Sequence, residues 1–176
     1  MRKALVVIDM VKGFFVEGSA LYCGKKARKI IPFVKAKLEE YEKHGYFVVF
    51  VCDNHDPDDE EFNAFAPHCV RGTEETEVID ELKDFAKRHR VLPKRRYSAF
   101  FDTDLGGVLE EAKPDLVEVV GVCTNICVLF TVEDLRNRDY PVRVYAEGVA
   151  SFDREAHEFA LKQMGSVLAV EVVREK

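Results

Sequence analysis

The sequence of 176 residues has little of what would mark a nucleic-acid-binding, membrane or secreted protein. Its net charge is −6, and its one dense basic run is Lys94-Arg95-Arg96, so it lacks the clustered cations that neutralise phosphates. No apolar stretch approaches the ~20 residues of a membrane span. The apolar run before Asp9 has about six residues, whereas the core of a signal peptide needs about 7–15. We therefore expect a cytoplasmic protein that binds neither nucleic acid nor membranes.

Linkers, internal repeats and low-complexity tracts are also absent from the sequence, so we predict one domain over residues 1–176. A chain of this length can bury roughly 70% of its unfolded surface without help from disulfides. The five cysteines are an odd number, which favours reduced thiols over a disulfide framework.

Apolar runs rich in β-branched residues alternate with segments of helical periodicity. The predicted strands are Ala4–Ile8, Tyr46–Cys52, Arg90–Pro93, Leu116–Val122, Val142–Ala146 and Leu168–Val173. The predicted helices are 25–44, 73–89, 124–138 and 153–164, the first ending at Gly45. This alternation predicts an α/β fold of three layers (α/β/α) around a six-stranded parallel, doubly wound, Rossmann-like sheet.

In such sheets ligands bind beyond the carboxyl ends of the strands. Asp9 ends the first predicted strand, Asp53 and His55 follow the second, Lys94 follows the third and Cys127 lies just after the fourth. The sequence therefore predicts that these five side chains collect at one edge of the sheet.

The segment "GVCTNICV" places Cys123 and Cys127 where a strand gives way to a helix. With Thr124 as N-cap, Cys127 falls at the third helical position, where the helix dipole lowers a thiol pKa and favours a nucleophile. The local sequence fits equally well the alternative that both cysteines are small buried residues that only pack in the core. A zinc pair or a redox pair fits less well, because the spacing is CxxxC without nearby partner ligands and redox motifs are CxxC.

The other residues at this edge also have two interpretations. Asp9 follows an apolar strand, where a carboxylate is either a turn former or a functional group. Lys94 is either part of a solvated basic run or a tunable point charge, which Arg cannot be. The loop 52–73 contains Asp53, His55, Glu61 and His68, which are ligand types that Zn²⁺, Mn²⁺ and Fe²⁺ accept, although an acidic exposed loop is the plain alternative. A loop of about 20 residues is uncommon unless it is functional.

Taken together, these segments resemble the isochorismatase-like cysteine hydrolases, and within them the nicotinamidase/pyrazinamidase group. The resemblance covers nearly the whole chain. It is carried by "LVVIDMVKGFF", "KRRYSAFFDTDL", "GVCTNICV" and "EGVAS", and most specifically by the pair "DNH" and "APHCVRGT" of the metal loop.

The resemblance implies roles for particular residues. Asp9, Lys94 and Cys127 would form a catalytic triad, with a cis peptide bond around Val122–Cys123 and an oxyanion hole made by the backbone amides of Cys123 and Cys127. One divalent metal ion, zinc with iron or manganese as alternatives, would be held by Asp53, His55 and His68, with Glu61 as a further candidate ligand. Phe14, Phe65 and Tyr97 would line the substrate pocket, unless they are simply core residues.

The implied activity is hydrolysis of nicotinamide to nicotinate and ammonia, with pyrazinamide also accepted, by a homo-oligomer. Gly13 and Asn125 stand where many relatives have Asp, and Phe65 stands where nicotinamidases often have Trp, which leaves the identity of the amide open. The alternatives are another small-amide, ureido or carbamoyl hydrolase of the family and a catalytically silent interaction module. Isochorismatase activity fits less well, because its vinyl-ether substrate needs no metal loop.

Overall fold

A computed structural model describes residues 1–174 and shows one six-stranded, all-parallel sheet with the strand order β3-β2-β1-β4-β5-β6. The strands are β1 (Lys3–Ile8), β2 (Phe47–Asp53), β3 (Arg90–Lys94), β4 (Leu116–Val122), β5 (Val142–Ala150) and β6 (Glu171–Val173). The predicted fold class is confirmed, and all six predicted strands are present.

Helices cover both faces of the sheet because the central strands are apolar on both sides. In β1, Leu5 and Val7 face one hydrophobic core, whereas Val6 and Ile8 face the other. The helices are α1 (Lys12–Phe15), α2 (Ile31–His44), α3 (Lys83–Ala86), α4 (Leu105–Ala112), α5 (Leu129–Asn137) and α6 (Arg154–Ser166). Apolar side chains of α2 pack in the first core, and those of α4, α5 and α6 pack in the second.

The observed helices differ from the predicted ones in three places. The predicted helix 73–89 is wrong, since only a 3-10 turn (Glu74–Thr76) and the single turn of α3 form there. Between them Val78 pairs with Val11 in an antiparallel bridge, so a tertiary contact overrides helical periodicity. The helix α4 was not predicted. The predicted helix 25–44 is a 3-10 turn (Ala27–Ile30) followed by α2, with Pro32 in the first turn and Gly45 left-handed at the end.

From β1 the chain builds the sheet in one direction through β2 to β3, and then in the other direction from β4 to β6. This change of direction between the adjacent strands β1 and β4 places a crevice beyond their carboxyl ends. Gly121 of β4 is required there, because it has φ +123° and a Cβ would lie 1.9 Å from the carbonyl oxygen of Ile8. A side chain at this position would therefore collide with the backbone of β1. Across residues 1–174, no helix combines the length and apolar character needed to cross a membrane.

Candidate active site

Asp9 lies at the carboxyl end of β1 and enters the crevice with a left-handed backbone, φ 52°. Non-glycine residues rarely adopt this conformation, and those that do concentrate at functional sites. The Asp9 amide donates to the carbonyl of Val51 at 2.9 Å, and its carboxylate accepts from the amide of Asp53 at 2.9 Å. The carboxylate is completely buried, and the neighbouring strand β2 fixes its orientation.

Lys94, the last residue of β3, is the cation at the centre of the site, and its side chain is completely buried. Its Nζ lies 2.9 Å from Asp9 Oδ2 and 3.5 Å from Cys127 Sγ. It also contacts Asp53 Oδ1 and donates to the carbonyl of Arg96 at 3.1 Å. A buried ammonium is tolerated only with such partners, because an unpaired buried charge is very costly.

Cys127 lies in the turn between β4 and α5, but not at the helical position predicted from its sequence. The segment Thr124–Val128 is a π-helical turn with Cys123 as its N-cap, and no side chain caps it. Thr124 is not the cap, because its Oγ1 lies within hydrogen-bond distance (2.8 Å) of His157 Nδ1 on α6. The Val122–Cys123 peptide bond is cis, as the family resemblance implies.

Burial raises the pKa of the Cys127 thiol well above its usual value, and the carboxylates of Asp9 and Asp53 add to this effect while Lys94 opposes it. The expected lowering of this pKa by a helix dipole is therefore wrong for the resting site. Burial and the nearby charge of Asp53 raise the pKa of Asp9 to about 6. A carboxylate with a raised pKa is a stronger base, so the resting arrangement is a protonated thiol beside a proton acceptor.

A second group of side chains, Asp53, His55 and His68, offers potential metal ligand atoms within 4.8 Å of one another, and all three residues are buried. Asp53 Oδ2 lies 3.6 Å from Nε2 of each histidine, and Glu61 Oε1 lies 3.9 Å from the same two nitrogens. These distances are too long for hydrogen bonds. The buried His55 Nε2 has no hydrogen-bond partner among residues 1–174. An orphaned imidazole nitrogen facing two carboxylates fits a divalent cation.

The two histidines are oriented for such a role by their other ring nitrogens. His68 Nδ1 lies 2.9 Å from the carbonyl oxygen of Ala66, which can only accept, so Nδ1 carries the proton. His55 Nδ1 lies 3.3 Å from the carboxylate of Asp59 in the same way. In the neutral form of each ring, Nε2 then presents a lone pair to the centre of the group, as in metal sites where a carboxylate or carbonyl holds the ligating histidine.

Asp9, Asp53 and Cys127 also have ligand atoms within 4.8 Å of one another. That space already contains a cation, because Lys94 Nζ contacts all three side chains. We therefore assign the metal-type donor set to Asp53 and the two histidines alone, with Glu61 at its border.

Sequence reasoning missed Asp59 and Arg96. The Asp59 side chain is almost completely buried, holds His55 Nδ1 with one oxygen and contacts the Arg96 guanidinium with the other. The backbone carbonyl of Arg96 accepts a hydrogen bond from Lys94 Nζ. Arg96 therefore connects the metal-type donor set, through Asp59, with the group formed by Asp9, Lys94 and Cys127. The only signal in the sequence was the acidic character of the loop, which does not single out one of its carboxylates.

A narrow pocket of about 20 Å³ opens onto Cys127. Its apolar walls include the three residues predicted from the resemblance, Phe14, Phe65 and Tyr97, and three that were not predicted, Leu21, Ile126 and Phe152. The Phe65 ring meets the rings of His68 and Tyr97 edge-on, at centroid distances of 6.4 and 6.2 Å. The polar lining consists of Asp53, Glu61, His68, Cys123 and Cys127. The thiol and the metal-type group thus share one small aromatic pocket.

The family model described as "Isochorismatase domain" matches residues 3–174. The chain belongs to the isochorismatase family. A solved structure of nicotinamidase PncA from Bacillus subtilis is 36% identical and superposes with a TM-score of 0.93, covering 98% of this chain and 99% of that one. The family membership together with the similarity to a nicotinamidase supports an amide-hydrolysing enzyme.

Two further structures of the isochorismatase fold are similar to this chain over nearly its full length. N-carbamoylsarcosine amidase from Thermoplasma acidophilum is 32% identical, with a TM-score of 0.88 and coverage of 99% of this chain and 96% of that one. Pyrazinamidase of Pyrococcus horikoshii, solved in complex with zinc, is 28% identical, with a TM-score of 0.88 and coverage of 99% and 100%. The family resemblance predicted from sequence is confirmed, and the neighbours act on more than one kind of small amide.

Proposed function

We propose that this isochorismatase-family protein hydrolyses nicotinamide to nicotinate and ammonia through a thioester on Cys127. The observation that carries the proposal is the position of the Lys94 ammonium, 2.9 Å from Asp9 and 3.5 Å from Cys127, which lines an aromatic pocket. A nucleophile and a base whose atoms lie within 4.8 Å of each other, with a fixed cation in contact with both, are the parts that covalent amide hydrolysis needs.

In the first half of the reaction Asp9 takes the proton of the Cys127 thiol, and Lys94 stabilises the thiolate that forms. The sulfur attacks the carboxamide carbon, and the backbone amides of Cys123 and Cys127 hold the developing oxyanion, each donor contributing roughly 2.7–4 kcal/mol. The carbon–nitrogen bond then breaks as Asp9 returns its proton to the nitrogen, and ammonia leaves.

In the second half a water molecule gives a proton to Asp9 and attacks the thioester carbon. The carbon–sulfur bond breaks, the carboxylic acid is released and the proton on Asp9 returns to the sulfur. Positioned proton transfer of this kind contributes about 10²–10⁴-fold to a rate. The raised pKa of Asp9 places it well for both directions of transfer.

Asp53, His55 and His68, with Glu61 beside them, would hold the metal ion, and we propose zinc, with iron or manganese as alternatives. When bound, the ion supplies a positive centre that orients a pyridine-type ring nitrogen in the pocket. Phe14, Phe65 and Tyr97 would enclose the ring and exclude water. Support for this part comes from the orphaned Nε2 of His55 and from the zinc in the P. horikoshii neighbour.

The test is ammonia release from nicotinamide by the purified protein, with Cys127→Ala and Cys123→Ala as matched variants. We expect Cys127→Ala to lose at least about 10⁴-fold in kcat, because the covalent route is removed. Cys123→Ala should keep most activity, because its contribution is a backbone amide. No release by the wild-type protein would refute the substrate, and equal activity of the Cys127 variant would refute the triad.

A second candidate is hydrolysis of a small carbamoyl compound, which the similarity to N-carbamoylsarcosine amidase favours. The two candidates are separated by comparing nicotinamide with benzamide, which lacks the ring nitrogen, and with N-carbamoylsarcosine. The proposal predicts a preference for nicotinamide over benzamide that disappears after metal removal. A higher kcat/KM for N-carbamoylsarcosine would instead support the second candidate.

A further inference from the structure

A groove of about 590 Å³ lies beside the catalytic pocket, between the segment 23–30 and the junction of β5 with α6. This volume lies within the range of small-molecule sites, about 300–1,000 Å³. The groove has no part in the reaction proposed above. Its chemistry differs from that of the catalytic pocket, because its rim is basic.

The positive charge of the groove comes from two sides. Lys25, Lys26 and Lys29 line one side, and Arg154, the first residue of α6, lines the other. The Lys29 amide donates to the carbonyl of Lys26 at 3.1 Å in a 3-10 turn, which holds these two residues on one compact segment. All four side chains belong to exposed residues. The lining includes one carboxylate residue, Glu147, so cations dominate locally in a chain with a net charge of −6.

The groove also has an apolar part. Ala27, Ile30 and Val149 form buried portions of its lining, at most 4% exposed. Phe152 is 49% exposed at its rim. A ring in this position can stack on an aromatic ligand, while the lysines act as point charges for a phosphate.

We propose that this groove binds a mononucleotide, with its phosphate held by Lys26, Lys29 and Arg154 and its base against Phe152 and the apolar lining. A groove with cations but no apolar surface would bind free phosphate as well as it binds a nucleotide, and an apolar groove without cations would bind an uncharged ring. A groove that combines cations with an apolar surface favours a ligand that has both a phosphate and a ring. A nucleic-acid strand is disfavoured, because the basic rim is confined to one groove of an acidic protein.

The groove is separated from the catalytic pocket by a thin wall. Phe152 lines both spaces, and Cys23, which lines the groove, has its sulfur 3.4 Å from the sulfur of Cys123, which lines the pocket. A bound nucleotide would therefore contact the outer side of the catalytic wall without touching Cys127. The nucleotide site is distinct from the substrate site and does not depend on which amide the enzyme hydrolyses.

The test is isothermal titration calorimetry of the 176-residue chain with adenosine monophosphate, inorganic phosphate and adenosine at 0.1 M salt. We expect adenosine monophosphate to bind at least tenfold more tightly than either of the other two. The double variant Lys26→Glu/Lys29→Glu should weaken binding of the nucleotide at least tenfold. The matched double variant Lys35→Glu/Lys43→Glu, which makes the same change in net charge on exposed residues of α2 outside the groove, should bind within twofold of the wild-type protein.

Two more variants locate the base and exclude the catalytic pocket. Phe152→Ala should weaken binding of the nucleotide without changing binding of phosphate. Tyr97→Ala, in the wall of the catalytic pocket, should leave the affinity for the nucleotide unchanged. The proposal is overturned if the nucleotide does not bind, if phosphate binds equally well, if both charge variants behave alike or if Tyr97→Ala abolishes binding. Thermal unfolding of each variant verifies that it is folded.

Discussion

Replacement of Lys94 by Met tests the charge balance of the site. The Lys94 side chain is completely buried and contacts the carboxylates of Asp9 and Asp53, whose side chains are 0% and 3% exposed. Methionine keeps the approximate length of the side chain but leaves two buried carboxylates without their cation. Removal of one partner from a buried ion pair costs about 3–5 kcal/mol. With a slope of about 2 kcal/mol/M for urea, the midpoint should fall by roughly 1.5–2.5 M.

The assay is urea unfolding followed by circular dichroism at pH 7.5, in the presence of a chelator so that no added metal compensates Asp53. The informative control is the double variant Asp9→Asn/Lys94→Met, in which one of the two unpaired charges is also removed. This double variant should be more stable than Lys94→Met alone. If the two substitutions acted independently, the double variant would instead be less stable than Lys94→Met. A loss below about 1 kcal/mol for Lys94→Met, or a double variant less stable than the single one, would refute the charge-balance explanation.

Three further predictions concern residues outside the triad. Asp59→Ala should weaken metal binding by about 10–100-fold, because His55 loses the carboxylate that orients it, and Asp58→Ala should not; equal affinities in a competition titration would contradict this. Glu118 is buried, and although burial alone would raise its pKa, Lys37, Tyr41, Lys3 and Tyr145 hold that pKa below its ordinary value of 4.5. Glu118→Gln should therefore destabilise the protein by about 1–3 kcal/mol at pH 7, and this difference should shrink as the pH falls below 4.5 through the folded-state pKa; a difference independent of pH in urea unfolding would contradict it. Gly121→Ala should cost about 3 kcal/mol or more, measured in the same way, because its Cβ would overlap a carbonyl of β1, and near-wild-type stability would contradict the close approach.

The centre of the sheet could be predicted from the sequence because β1, β2 and β4 are nearly continuous apolar runs, which are typical of parallel strands buried on both faces. The convergence of Asp9, Lys94 and Cys127 followed from the same topology, since the carboxyl ends of parallel strands share one edge. The segment 73–89 was predicted incorrectly because its helical periodicity is local, whereas the pairing of Val78 with Val11 is not.

The side-chain partners within the site could not be read from the sequence. The position of Thr124 in the chain suggests an N-cap, but its contact with His157, 33 residues away, decides its role. In the same way, the high pKa of the Cys127 thiol follows from burial and from carboxylates on other strands. Local sequence describes a helix terminus and not the charges that surround it.

Asp53 has three simultaneous contacts. Its amide donates to Asp9, one carboxylate oxygen contacts Lys94, and the other faces the two histidines. For protein engineering this creates an unequal choice of positions. A library that varies the metal-type donor set at His55 and His68 leaves the contact between Asp53 and Lys94 in place, whereas variation at Asp53 would also remove one of the two counter-ions of Lys94.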